Sequence, residues 1–280
     1  MHDSGNRPVG AVAVTFDNLG EAAELEMGAL PADAPLGGHP SATEVVPALL
    51  DRLAEREIAA TFFVEGMNAE LYPDLLREIA GRGHEVAYHA WRHEQWDELS
   101  VAGQAENLLR GVDTFGRIGI EIAGLRPPGG RLGPGGVGVL REAGLRYCSP
   151  AGAGAGAEDG VALLPFEWRH LDASCVLPPL AAARERMTGS PDPVGPAAFV
   201  AFLEAEIERL SENGGFLATV LHPFMLDWLG EENLAALLDR VAAAHGEGVR
   251  VARCRDVAES VLAHPAAFAG GTVLDPTSWA

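Results

Sequence analysis

The stretch "IAATFFVEGMNAELYPDLLREIAGRGHEVAYH", residues 58–89, contains a whole strand, helix and strand. Residues 58–65 are rich in aromatic and β-branched side chains, 71–82 carry apolar residues at helical spacing, and 84–89 return to a strand pattern after Gly81 and Gly83. Two strands linked through a helix run parallel, because the helix carries the chain back to the starting edge. The same alternation continues along the chain. Further strands are expected at 9–17, 123–127, 144–149, 162–167, 216–222 and 249–253. Helices are expected near 43–56, 98–117, 135–143, 196–213, 231–247 and 255–263. Seven or eight such repeats in 280 residues predict a parallel sheet curled into a closed or nearly closed barrel.

Composition removes several functions. Forty acidic residues against twenty basic ones leave a formal charge of -20, which opposes the phosphate neutralisation that nucleic acid or an anionic membrane requires. All the basic residues are Arg, so a P-loop lysine, a lysine Schiff base and a lysine general base are excluded. The start "MHDSGNRPVGAV" lacks a basic segment followed by a long apolar one, and no apolar run approaches 18 residues. The expected location is cytoplasmic. Cys148, Cys175 and Cys254 form no CxxC and read as buried small hydrophobes in a reducing compartment.

In a parallel barrel the reactive groups gather where the strands end. Here the expected strand ends carry Asp17 with Asn18, Glu65, His89 with His93, Arg126, Glu167 with Asp172, and His222. His89 and His93 are four apart, a spacing that lets two imidazoles converge on one cation if the chain turns between them. His84 faces away from His89 in a strand of period two and reads as structural. In "GLRPPGGRLG", 124–133, Pro127 holds Arg126 extended, and a guanidinium fixed in this way suits a carboxylate such as Asp17. His222 closes an apolar strand just before Pro223, a position at the rim of a site. The stretch "AGAGAGAEDG", 151–160, contains a GxGxxA spacing, but a turn and a strand follow it where a dinucleotide site needs a helix N-terminus. It reads as a flexible loop, as does "TGSPDPVGP", 188–196.

Five motifs, taken in order, make the chain similar to the polysaccharide deacetylase family, the metal-dependent carbohydrate esterases that include chitin and peptidoglycan N-deacetylases. "TFDN" resembles the family's TFDD, "HAWRHEQW" its H(S/T)xxH, and "RPPGG" its RxPxG-type motif, while "PFEWRHLD" and "LHP" resemble the fourth and fifth. The resemblance runs from about residue 11 to about residue 258. It implies an α/β fold, a distorted (β/α) barrel of about seven strands, forming one domain over 1–280 with its core at about 9–260 and a tail from 264 to 280. It also implies amide hydrolysis with a divalent metal, zinc first and cobalt or nickel as other choices. By position, Asp17 is the general base, His89 and His93 are metal ligands, and Arg126 orients Asp17. His222 is the acid for the leaving amine, and Asp172 tunes it. Trp91, Trp96, Trp168 and Trp228 lie near these motifs and are either pocket walls or core.

The first motif departs from the pattern, because Asn18 stands where the family has a metal-binding Asp. Three outcomes follow: Asn18 ligates weakly through its amide oxygen, Glu21, Glu24 or Glu65 replaces the lost carboxylate, or the site has lost its metal. The residues after Asn18 also lack the usual Gly-Pro turn, and the stretch to residue 42 reads as a lid or a subunit contact in a homo-oligomer. The expected activity is removal of an acyl group, most simply acetyl, from an amine on a small sugar or sugar-containing metabolite. The alternatives are a metal-independent hydrolase of a cyclic amide or imide, a repurposed lyase or cyclase, and a non-catalytic binding barrel. Retention of a base, its orienter and an acid speaks against the last of these.

Overall fold

A computed structural model describes residues 10–268 and 271–276. Its strands are β1 (Gly10–Asp17), β2 (Thr61–Val64), β3 (Glu85–Tyr88), β4 (Gly124–Leu125), β5 (Tyr147–Cys148), β6 (Gly152–Ala153), β7 (Gly156–Glu158), β8 (Val161–Leu163), β9 (Gly215–Leu221), β10 (Val249–Val251) and β11 (Val273–Leu274). Every residue of β1 is buried, as expected of a parallel strand covered on both faces. β1 is the hub of the sheet. Its residues 10–16 pair with 215–221 of β9, its last three pair with β2, and its first three pair with β10.

From β2 the sheet continues through β3, β4, β5 and β8, all parallel. A single bridge between Leu171 and Val220 joins the chain beyond β8 back to β9. The sheet therefore curls into a distorted (β/α) barrel, whose wall in spatial order is β9-β1-β2-β3-β4-β5-β8. That wall has seven parallel strands, and antiparallel β7 extends it beyond β8.

Crossover helices cover the outside. They include α1 (Ala22–Glu26), α2 (Val46–Glu55), α3 (Gly66–Leu71), α4 (Pro73–Gly81), α5 (Val101–Arg117) and α6 (Gly136–Glu142) in the first half. The second half adds α7 (Asp172–Val176), α8 (Ala181–Thr188), α9 (Pro196–Asn213), α10 (Leu226–Leu229), α11 (Glu231–Gly246) and α12 (Cys254–Ala263). In α2, Leu49, Leu50 and Leu53 are buried at helical spacing. Ser100 caps α5 by accepting the Gly103 N–H at 3.1 Å. Among the described residues no helix is long and apolar enough to cross a membrane.

The reading of 151–160 as a flexible loop is corrected. The segment contains β6 and β7, and β6 pairs antiparallel with β11 of the C-terminal segment. Its glycines leave room for a neighbouring chain: a Cβ on Gly152 would meet the Val273 carbonyl oxygen, and one on Gly154 that of Gly271. The sequence also gave no warning of the short helices α1, α7, α8 and α10, each too brief to show a clear apolar stripe.

Candidate active site

Parallel register brings the ends of β1, β3, β4 and β9 to one end of the barrel. Asp17, Asn18, His89, His93, Arg126 and His222 line one cavity there, joined by Trp168 and a set of aliphatic side chains. Arg126 is 1% exposed, and its Nη1 donates to Asp17 Oδ1 at 2.7 Å and to Thr15 Oγ1 at 2.8 Å. Its Nε and Nη2 donate to Ser149 Oγ at 3.2 and 3.0 Å, and its plane lies over the Phe63 ring. Every guanidinium nitrogen is held, so the charge beside Asp17 is fixed in place. Thr15 and Ser149 did not emerge as site residues from the sequence. Thr15 had a signal, because period two puts it on the same face of β1 as Asp17.

His89 Nδ1 is 2.7 Å from the Arg126 carbonyl oxygen. A carbonyl can only accept, so the proton is on Nδ1 and the Nε2 lone pair is free, 4.0 Å from Asp17 Oδ2. The His93 ring meets the His89 ring edge-on, with centroids 4.8 Å apart. Burial, followed by neighbouring positive charge, lowers both imidazoles to about 3, so both are neutral and able to ligate. Asn18, Ala90 and His93 all have positive φ, at 58°, 62° and 75°. Such strain in non-glycine residues gathers where a site demands a particular backbone path.

Asn18 Oδ1 is buried and has no hydrogen-bond partner among the described residues. An unpaired acceptor lining the same cavity as two neutral imidazoles is a donor set that a divalent cation fits, with one carboxylate fewer than the family pattern. The three acids considered as replacements do not line the cavity. Glu21 accepts from Tyr72 Oη at 2.6 Å and from the Gly37 N–H at 2.8 Å. Glu24 faces His39 Nε2 at 3.4 Å. Glu65 is fully buried and accepts from Asn68 Nδ2 at 2.8 Å, and burial pushes it up to about 8, against hydrogen bonding and with help from the Asp17 charge. Among the described residues no group of three His, Cys, Asp or Glu is placed to hold a metal.

His222 enters from β9. Its Nδ1 donates to Asp172 Oδ1 at 2.6 Å, and its backbone N–H donates to Asp172 Oδ2 at 2.7 Å. Asp172 is fully buried and also accepts the Ala173 N–H at 2.6 Å. Burial works against the imidazolium, but the charge and hydrogen bond of Asp172, with the charge of Asp17, outweigh it and hold His222 above its ordinary value. Nε2 is left as the nitrogen able to serve a ligand.

Of the four tryptophans near the motifs, Trp168 alone lines the cavity. Trp91 lies under the Arg110 guanidinium, 3.3 Å from it. Trp96 is fully buried and donates from Nε1 to the Leu132 carbonyl oxygen at 3.1 Å, and Trp228 packs on Phe199. Trp91 and Trp96 belong to the core, and partly buried Trp228 packs against it. His84 is also structural: its Nδ1 accepts the Ala60 N–H at 3.1 Å, away from the cavity.

The sequence model of the polysaccharide deacetylase family matches residues 4–148. The chain belongs to the polysaccharide deacetylase family. A peptidoglycan-N-acetylglucosamine deacetylase of Bacillus cereus is 29% identical over 90 residues, 32% of this chain and 33% of that protein. A chitooligosaccharide deacetylase of Sinorhizobium fredii is 43% identical over 60 residues, 21% of this chain and 26% of that protein. The chain thus spans about a third or less of the length of these curated relatives. A crystal structure from Mycobacterium smegmatis, of a protein described as a polysaccharide deacetylase, superposes with a TM-score of 0.77 and 27% identity, covering 98% of this chain and 96% of that one. An allantoinase shares the fold, with a TM-score of 0.69 and 18% identity over 94% of this chain and 96% of that one.

Proposed function

We propose that this polysaccharide deacetylase family member is an enzyme that hydrolyses the C–N bond of an N-acyl amine, with a small amino sugar or sugar-containing metabolite as the amine. One observation carries the reading. A carboxylate fixed by Arg126 and an imidazole fixed by Asp172 line the same cavity as two neutral histidines. Asp17 takes a proton from the attacking water, and the buried Arg126 holds its carboxylate aimed at the cavity. His222, which Asp172 holds above its ordinary value, gives a proton from Nε2 to the departing nitrogen. One group is paired with a guanidinium and the other with a carboxylate, which divides the proton transfers between them. His89, His93 and Asn18 are the residues that would hold a divalent cation. Such a cation supplies Lewis acidity that polarises the amide carbonyl and acidifies water. Strands from residues 10 to 251 share one sheet, which supports treating the chain as a single catalytic domain.

Release of amine from N-acetylglucosamine and its N-acyl analogues, followed with and without added Zn²⁺ or Co²⁺ and after chelation, tests this reading. Metal-stimulated release is the expected result. The neutral Asn18 favours one second reading, a metal-independent cyclic amide or imide hydrolase, and chelator-insensitive ring opening of such a substrate would replace the first.

A further inference from the structure

Ala173 of α7 lines the catalytic cavity, while Ser174 and Cys175 of the same short helix line a second cavity, bounded also by α8 and α9. Its volume of about 240 Å³ falls just below the range of most ligand sites, about 300–1,000 Å³, so it suits a small molecule. The wall contains Arg169 and Arg184 and no acid, in a chain with twice as many acids as bases. Arg169 is neutralised by Glu167, 2.8 Å away. Arg184 is 3% exposed. Its Nε donates to the Pro191 carbonyl oxygen at 2.8 Å, and its Nη1 donates to those of Ser174 at 2.8 Å and Leu177 at 3.4 Å. Carbonyls satisfy the donors that they meet but carry no net charge. Among the described residues no carboxylate pairs with this guanidinium, and Nη2 has no acceptor.

A buried charge is costly unless an opposite charge meets it. Nothing else in the wall supplies one. The Ser174 and Thr188 hydroxyls donate to backbone carbonyls at 2.6 and 2.8 Å, and burial pushes the Cys175 thiol up to about 12, so it stays neutral. Phe199 and Phe202 of α9, with Val194 and Met187, make the remainder apolar. We infer that this cavity binds a small monocarboxylate with an apolar or aromatic body, its carboxylate on Arg184 Nη2 and its body against Phe199 and Phe202. A phosphate or sulfate would meet one free guanidinium edge and an apolar wall, which leaves most of its oxygens unpaired. The site is separate from the catalytic cavity, and the inference does not depend on the hydrolase reading.

Calorimetric titration of the purified protein with benzoate, benzamide and inorganic phosphate tests it. Benzoate should bind at least roughly tenfold more tightly than benzamide, which keeps the ring and loses the charge. Phosphate should bind more weakly than benzoate. Arg184→Met removes the charge from the wall and should abolish the preference for benzoate. Because Arg184 also ties two segments together, a second variant leaves it in place: Ala198→Trp, at an exposed position on α9, fills the cavity and should weaken benzoate at least roughly tenfold. Equal affinity for benzoate and benzamide would overturn the inference, as would phosphate binding as tight as that of benzoate, or no detectable benzoate binding. Benzoate binding that Ala198→Trp leaves unchanged would overturn it too, because the ligand would then lie elsewhere, for instance in the catalytic cavity.

Discussion

Asp172 grips His222 twice, through the ring Nδ1 at 2.6 Å and the backbone N–H at 2.7 Å. The first contact fixes the tautomer and the second fixes the position of the residue. The charge of this carboxylate keeps His222 above its ordinary value although burial pulls the other way. With protonated His222 as the acid of the proposed mechanism, activity should be lost as pH rises through its pKa. Asp172→Asn keeps the shape and removes the larger of the two charges that oppose burial, leaving only that of Asp17. The alkaline limb of kcat/KM against pH should move to lower pH, with a loss of roughly 10²-fold at neutral pH. A limb that stays in place would put the acid elsewhere.

Asn18 sits at φ 58°, a left-handed conformation that Asp tolerates nearly as well, so Asn18→Asp should preserve the backbone. It places a charge where a neutral, unpaired amide oxygen now stands. Even changes around metal ligands alter affinity by about 10 to 100-fold, so this variant should bind Zn²⁺ at least roughly tenfold more tightly. Competition with a metallochromic dye reads the difference directly. Equal affinities would mean that residue 18 does not touch the cation.

Glu21, considered from the sequence as a replacement ligand, fastens a strap. Its carboxylate accepts from Tyr72 Oη and from the N–H groups of Gly37 and Gly38, and Tyr72 Oη in turn accepts the His39 N–H at 2.8 Å. This clamp ties the segment after Met27 to the barrel. Glu21→Ala strands a buried hydroxyl and two amides at a cost of about 1–3 kcal/mol. Amide exchange at residues 28–38 should accelerate while β1 and β9 remain protected, as hydrogen-exchange mass spectrometry can measure. Unchanged exchange in that segment would show that the clamp does not hold it.

The parallel barrel was legible because its signal is long-range and repetitive. Strand and helix alternate from residue 10 to residue 263, and parallel pairing then places Asp17, His89, Arg126 and His222 at one end. The Arg126–Asp17 contact was legible too, since Pro127 restricts the arginine. The placing of Trp91 and Trp96 in the core, and of partly buried Trp228 against it, was not, because an indole suits a core and a pocket equally well. Nor was the role of Gly152 and Gly154, because the strand they admit lies more than a hundred residues further along the chain. Glu65 resembled a ligand at a strand end, and only the structure shows it facing Asn68.

Hydrolysis with Asp17 as base is the claim on which the rest depends, and isotope labelling tests it most directly. Turnover of an N-acyl glucosamine in H₂¹⁸O should place one ¹⁸O in the released carboxylate, as read by mass spectrometry. Asp17→Asn, with Arg126 still in place, should slow that incorporation by at least roughly 10²-fold. Amine released without label in the carboxylate, or labelling at an undiminished rate in Asp17→Asn, would contradict the account.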